Sequence, residues 1–431
     1  MTDGVQVLAA RALSLVGAAA VGILVARTLG PAGRGTYAVP AIVSSFVATV
    51  FAGLSTALAS SMLKDGAGRG ALRAAVLAAI PLVVSGVLVA TGLSIAMHDL
   101  WAIPYAAGIL PFLAASAIVN GYAYGRKNVR IVAIFALATP LVTLLCLATG
   151  FVLRGASPQV AIAMWAAGNA LVAAIGFGIV LWTSRPLPKQ HVPVWPFFRY
   201  TLAVGATGLV AMLNYRIDLY IVAALTTHAQ LGFYTTALSA AETLLVAAQV
   251  GSIVTVPQMG SLSRDEAAYL TARCVRNNLI FVGACGLVAV VVAEPLVSLL
   301  YGRAFLPAVA PLRILVIGIV PWSAASIMSS YFTLNGKRPQ IALCTASASA
   351  IACGAMAFVL VPRFGISGAA VATTVSYVVS VVVMSAYFSK QTKVPMSHVL
   401  LFQPEDFRGY CKLAVSFFSK PAVGIEEPSK G

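Results

Sequence analysis

Runs of apolar residues, each about twenty or more residues long, follow one another along almost the whole chain with only short polar connections between them. A bilayer core of about 30 Å needs about 20 such residues per helix. Twelve stretches meet that length, near residues 5–27, 36–61, 74–96, 100–123, 131–153, 158–182, 200–225, 229–256, 279–301, 307–333, 341–361 and 366–388. Charged residues are only 9% of the 431, against roughly 25% in soluble domains, and no connection before the tail leaves room for a soluble domain. The expected fold is therefore all-α and polytopic, with twelve transmembrane helices. An even number of crossings returns both termini to one side. The first run carries Arg11 and has no convincing cleavage site, so it reads as a retained helix rather than a signal peptide.

A repeated phrase divides the chain. Leu29-Gly30-Pro31-Ala32-Gly33-Arg34-Gly35-Thr36-Tyr37 follows the first run, and Thr227-His228-Ala229-Gln230-Leu231-Gly232-Phe233-Tyr234 follows the seventh. Aligning Gly35 with Gly232 also aligns Tyr37 with Tyr234. A second echo pairs Gly125-Arg126-Lys127-Asn128 with Gly336-Lys337-Arg338-Pro339. One six-helix unit used twice in the same orientation is the internal symmetry of a transporter built around a central cavity. The expected organisation is a six-helix lobe over residues 1–183, a proline-rich cytoplasmic linker over 184–199, a second lobe over 200–389 and a cytoplasmic tail over 390–431. In that tail Phe407, Tyr410, Cys411, Ala414, Phe417 and Phe418 recur at helical spacing, the pattern of an amphipathic helix lying on a membrane surface.

The net charge of +16 is topology signal rather than a nucleic-acid footprint. Loops after even-numbered runs and the start of the tail hold sixteen Lys and Arg, among them Arg69, Arg73, Arg126, Lys127 and Arg276, whereas loops after odd-numbered runs hold five, Arg27, Arg34, Arg154, Arg303 and Arg363. The positive-inside rule then puts the even loops and both termini in the cytoplasm. Six cysteines and four histidines show no metal-ligand spacing, and no Walker motif or glycine-rich phosphate loop is present. No enzymatic activity, cofactor or metal is expected.

Ionisable side chains inside apolar runs cost roughly 2.5–3.5 kcal/mol each on insertion scales, so they line water, pair, or both. Arg11 in the first run, Arg216 and Asp218 in the seventh and Glu242 in the eighth are the candidates, with Glu294 and Arg313 nearer the outer ends of the ninth and tenth. Arg216 and Asp218 lie about 200° apart on a helix and face different surroundings. Asn214 shares a face with Asp218, Tyr220 shares one with Arg216, and Glu242 is the nearest acidic partner in sequence for Arg216. An arginine in a wet cavity offers a rigid fork to phosphate or carboxylate; the same arginine paired to Glu242 would simply lock two helices. Arg11, Arg216, Asn214 and Tyr220 are thus the expected substrate-binding residues. Asp218 and Glu242 are the expected carriers of a coupling H+ or Na+, or else helix-to-helix ion-pair partners.

Several phrases together carry a family resemblance: Arg27-Thr28-Leu29-Gly30-Pro31 with Gly35-Thr36-Tyr37, Asn214 through Asp218 followed by Leu231-Gly232-Phe233-Tyr234, Tyr301-Gly302 with Phe305, Asn335-Gly336-Lys337, and Phe364-Gly365-Ile366-Ser367-Gly368-Ala369-Ala370. Over about residues 5–388 the chain resembles polysaccharide flippases of the O-antigen (Wzx) type, within the multidrug/oligosaccharidyl-lipid/polysaccharide (MOP) exporter superfamily, which also holds the MATE transporters. The resemblance implies two lobes rocking around a cationic cavity. It implies movement of an undecaprenyl-diphosphate-linked oligosaccharide across the bacterial inner membrane for surface or exopolysaccharide synthesis, with membrane lipid, a polysaccharide polymerase and a chain-length regulator as partners. By position it carries the lining role to Arg11 and Arg216, and Asp218 matches an acidic residue of relatives. The alternatives are a MATE-type multidrug antiporter, a lipid II flippase, which usually has two more helices, and a membrane glycan polymerase or ligase, which typically has a large outer loop that this chain lacks.

Overall fold

The computed structural model describes residues 2–64, 68–187, 190–259, 262–334, 339–401 and 403. Within them the chain forms helices α1 (Thr2–Lys64), α2 (Gly68–Ala96), α3 (Ile103–Gly108), α4 (Leu110–Gly125), α5 (Val129–Arg154), α6 (Pro158–Thr183), α7 (Val194–Leu225), α8 (His228–Met259), α9 (Arg264–Leu300), α10 (Val309–Leu334), α11 (Pro339–Thr392) and α12 (Met396–Leu400). No strand occurs among the described residues. Nine stretches there are long and apolar enough to cross a membrane. Large aliphatic side chains lie bare on the outside, with Val152 84% and Leu153 82% exposed. Such a surface is at rest only in lipid, so the chain is a multi-pass membrane protein.

Two of the nine stretches, Leu13–Leu63 and Gln340–Thr392, run to 51 and 53 residues. At 1.5 Å per residue each is about 75–80 Å long, more than twice a hydrocarbon core. Each breaks at a glycine. Gly30 takes φ 67°, ψ −175° and Gly365 takes φ 58°, ψ −140°, conformations essentially reserved for glycine. Pro31 follows Gly30 as the first residue of the next helical arm, where a missing N–H costs nothing. The turn expected after the first apolar run is therefore a single-residue kink rather than a loop.

Other boundaries differ from those expected. The interlobe linker is shorter than 184–199, because α7 begins at Val194 and takes up its last six residues. The ninth helix starts at Arg264, well before the expected 279. Its first four turns carry Arg264, Asp265, Glu266, Arg273 and Arg276, and Ser263 and Glu266 form a reciprocal capping box that starts the helix. Those turns bury Ala268 and Val275 against Met328, Tyr331, Phe332 and Phe388, a separate core at the end of the bundle opposite Gly30 and Gly365. The fourth apolar run is broken into α3 and α4, with Pro111 at the start of α4. The expected tail helix, from Phe407 to Phe418, lies outside the described residues.

Helices α1, α2, α4, α5 and α6 pack among themselves, as do α7 to α11, and the two sets meet chiefly where α1 lies on α7 and α8 and where α2 touches α7. The arm of α1 after Gly30 is thus the spine of the molecule.

Candidate functional site

The seventh helix places its polar groups on two sides. On one, Arg216 Nη2 lies 2.5 Å from Glu242 Oε1 of α8, both side chains about one-third exposed. The pair is in the wall of a cavity of about 370 Å³, shared with Met212, Tyr215, Leu238, Leu245 and Tyr377. Tyr215, Trp322 and Tyr377 back it with ring-to-ring contacts, at 5.5 Å for Tyr215 to Trp322 and 6.3 Å for Trp322 to Tyr377. Oligosaccharides and polar head groups are commonly gripped between such rings and a few directed polar groups. On the other side Asp218 is 1% exposed. Its carboxylate accepts hydrogen bonds from the Tyr234 hydroxyl and, at 2.6 Å, from Thr373 Oγ1, and Cys353 Sγ sits 3.8 Å from that same Thr373 hydroxyl. No cation meets Asp218 within salt-bridge distance among the described residues. Two hydroxyl donors and the Leu219 N–H, 2.8 Å from Oδ1, offset the cost of burying its charge.

The structure thus brings Arg216 and Glu242 together and separates both from Asp218. Tyr220 turns toward α1, edge-on to Phe46 with centroids 5.3 Å apart, and does not line the cavity. Asn214 does not line it either; its Oδ1 is buried without a hydrogen-bond partner among the described residues. Arg11 lies on α1, but its side chain is outside the described residues. Among those residues, no three His, Cys, Asp or Glu groups gather as a metal site would need.

The repeated phrase makes the second functional feature. Its two copies touch: a Cβ on Gly35 would lie 1.7 Å from the His228 carbonyl oxygen, and one on Gly232 would lie 2.0 Å from that of Pro31. About 27 Å further along the same arm, Gly53 and Gly205 make a second backbone contact, this one between α1 and α7, where a Cβ on Gly53 would meet the Thr201 carbonyl oxygen at 2.1 Å. Between the two contacts, Phe46 and Thr49 lie against Tyr220 and Met212 of α7. Both ends of the α1 arm are therefore closed against the second set of helices.

Polar contacts surround the Gly35–Gly232 closure. Asp99 Oδ1 is 3.0 Å from His228 Nε2 and accepts from Trp101 Nε1 at 2.9 Å. The Arg27 guanidinium donates to the carbonyls of Leu299 and Leu300, the unsatisfied C-terminal groups of α9. Arg34 donates to the Gly22 carbonyl and sits 5.3 Å over the Tyr301 ring. The sequence placed Arg27 in a family phrase and Arg34 in the repeated phrase but gave their charges only a topological meaning, and it left Asp99 and His228 without a role. The one signal present was that Arg34 and His228 fall inside the repeated phrase.

With this geometry in hand, comparison with known proteins narrows the class. The sequence profile of a family described as "Polysaccharide biosynthesis protein" matches residues 24–310. No protein of curated function matches. Among solved structures, the chain superposes on a structure described as "Lipid II flippase MurJ, inward closed conformation", with a TM-score of 0.75 at 13% identity over 97% of this chain and 94% of that one. It superposes comparably on an inward-facing multidrug resistance MATE family transporter of the MOP superfamily, with a TM-score of 0.74 at 14% identity over 90% and 98%. A MOP superfamily transporter from Pyrococcus furiosus, described as having reverse polarity of its binding pocket, gives a TM-score of 0.61 at 14% identity over 90% and 95%. At these identities the likeness is one of fold.

Proposed function

Because the chain belongs to the polysaccharide biosynthesis protein family, we propose that it is a transporter rather than an enzyme and that it flips an undecaprenyl-diphosphate-linked oligosaccharide from the inner to the outer leaflet of the bacterial inner membrane. The observation that carries this reading is Arg216, a guanidinium in the wall of an aromatic-backed cavity, in a chain of that family. A diphosphate cannot enter hydrocarbon unaided, and a planar fork of five donors matches its oxygens. Glu242 holds the fork in place until the anion arrives and competes for it. Arg11 joins Arg216 on the phosphates, and Met212 and Tyr215 flank the path on α7.

Splitting α1 at Gly30 and α11 at Gly365, and adding α8, brings the nine membrane-spanning stretches to twelve crossings in two six-helix lobes. The basic loops then orient both termini to the cytoplasm, which places the Gly35–Gly232 closure on the outer side. Alternating access proceeds by parting one glycine contact of the α1 arm while the other holds. Backbone-to-backbone contacts without interlocking side chains separate and re-form readily, and Asp99–His228 and Arg27 on the α9 carbonyls fasten the outer one. Asp218 carries the coupling H+ or Na+. Its surroundings, one carboxylate and two hydroxyls, are oxygen donors suited to a hard cation or a proton. A polysaccharide polymerase and a chain-length regulator take up the flipped product. The MATE alternative shares the fold equally well, but multidrug export of cations has no need of a cavity arginine.

Deletion in the native host tests the reading. Lipid-linked glycan should accumulate in the inner leaflet with loss of surface polysaccharide. Resistance to cationic dyes conferred by expression, with no glycan phenotype, would overturn it in favour of drug export.

A further inference from the structure

A second cavity, of about 670 Å³, lies at the start of α7, about 33 Å along that helix from Arg216. It is formed by the start of α2, the end of α6 and the connection into α7, and it shares no lining residue with the Arg216 cavity. Its polar side holds Arg69, Arg73 and His191, and its apolar side holds Leu72, Leu77, Leu181 and Val194. No carboxylate lines it among the described residues. Arg69 and Arg73, four residues apart, project from one face of α2 and both are exposed. The connection is held directly on that helix: a Cβ on Gly70 would lie 1.6 Å from the Gln190 carbonyl oxygen. Trp182 and Trp195, 69% and 66% exposed, stand at the α6 and α7 ends of the connection, as amphipathic rings do at the head-group level of a bilayer.

Two guanidinium forks and an imidazole beside an aliphatic wall, at the depth marked by exposed tryptophans, present the chemistry of one lipid head group with its chain alongside. We propose that this cleft binds an anionic phospholipid of the cytoplasmic leaflet, its phosphate on Arg69 and Arg73 and its acyl chain along Leu72, Leu77 and Leu181. The side rests on the orientation proposed above. The occupant is a bulk lipid rather than the transported one, because the cleft shares no lining residue with the cavity that holds Arg216 and Glu242. A lipid seated there touches both α2 and the connection to α7, and so ties together the two halves of the molecule at the end where Gly53 meets Gly205.

Native mass spectrometry of the purified full-length protein, offered phosphatidylglycerol, phosphatidylethanolamine or undecaprenyl phosphate in turn, tests this. The wild type should retain phosphatidylglycerol about ten-fold better than phosphatidylethanolamine, and Arg69→Gln/Arg73→Gln should bring the two to parity. Arg216→Ala should keep the preference, so that loss of transport and loss of lipid binding are told apart. Equal retention of both phospholipids by the wild type, or an unchanged preference in the double variant, would overturn the assignment. So would a preference for undecaprenyl phosphate that depends on Arg69 and Arg73, which would give the cleft to the cargo.

Discussion

Arg216 and Asp218 sit two residues apart on α7 yet meet opposite conditions, one at a cavity wall beside Glu242 and the other sealed among hydroxyls. The difference sets two separate expectations. Thr373→Val keeps the volume but removes one of the hydroxyls on the Asp218 carboxylate, and should lower the unfolding free energy in detergent by about 1–3 kcal/mol. An unchanged melting curve would show that the carboxylate does not depend on Thr373. Asp218→Asn, which cannot release a proton or balance a cation, should abolish the dependence of transport on an ion gradient while leaving anion binding at Arg216 in place. Retention of gradient dependence in a transport assay would remove Asp218 from the coupling role. Sequence alone made the opposed faces legible, because a 100° step per residue is enough to separate them. It did not show that Thr373, 155 residues away, closes the pocket around Asp218, nor that Met212 and Tyr215, rather than Asn214 and Tyr220, share the cavity wall with Arg216.

At the scale of helices, two glycines do what loops were expected to do. Nothing lies within 4 Å of a Cβ added to Gly30, so Gly30→Ala isolates the backbone cost of its conformation and should destabilise the protein by about 1–3 kcal/mol; calorimetry of the solubilised protein measures it, and an unshifted transition would mean that the kink tolerates a side chain. Gly232→Ala is a different experiment, since its Cβ would collide with the Pro31 carbonyl. It should hold α8 off the α1 arm, seen as a lengthening between spin labels at the exposed Ala32 of that arm and Ser239 of α8 that leaves helix content unchanged. An unaltered distance would show that the closure does not depend on this contact. The apolar runs made almost every helix legible from sequence, because about twenty uncharged residues have few other fates in a bilayer. The polar start of α9 escaped a hydropathy reading, although its Ser263-x-x-Glu266 signature was there to be found.

Across the whole molecule, the repeated phrase joins symmetry to mechanism. Each copy follows a helix that carries a candidate arginine, Arg11 in the first and Arg216 in the second, and the two copies meet through Gly35 and Gly232. The duplication was readable in the sequence; the contact between its halves was not, since it joins residues almost two hundred positions apart. The polar fastening of Asp99 to His228 and of Arg27 to α9 escaped notice for the same reason. Flipping of a lipid-linked anion past Arg216 is the central claim. Its most direct measurement is in proteoliposomes holding the purified protein and a fluorescent undecaprenyl-diphosphate-linked oligosaccharide, following exposure of the glycan on the opposite leaflet to a membrane-impermeant reagent. The wild type should expose it, Arg216→Ala should do so about ten-fold more slowly, and Arg216→Lys, which keeps the charge and loses the fork, should fall between them. Equal rates for the wild type and Arg216→Ala, or no movement above protein-free vesicles, would contradict it.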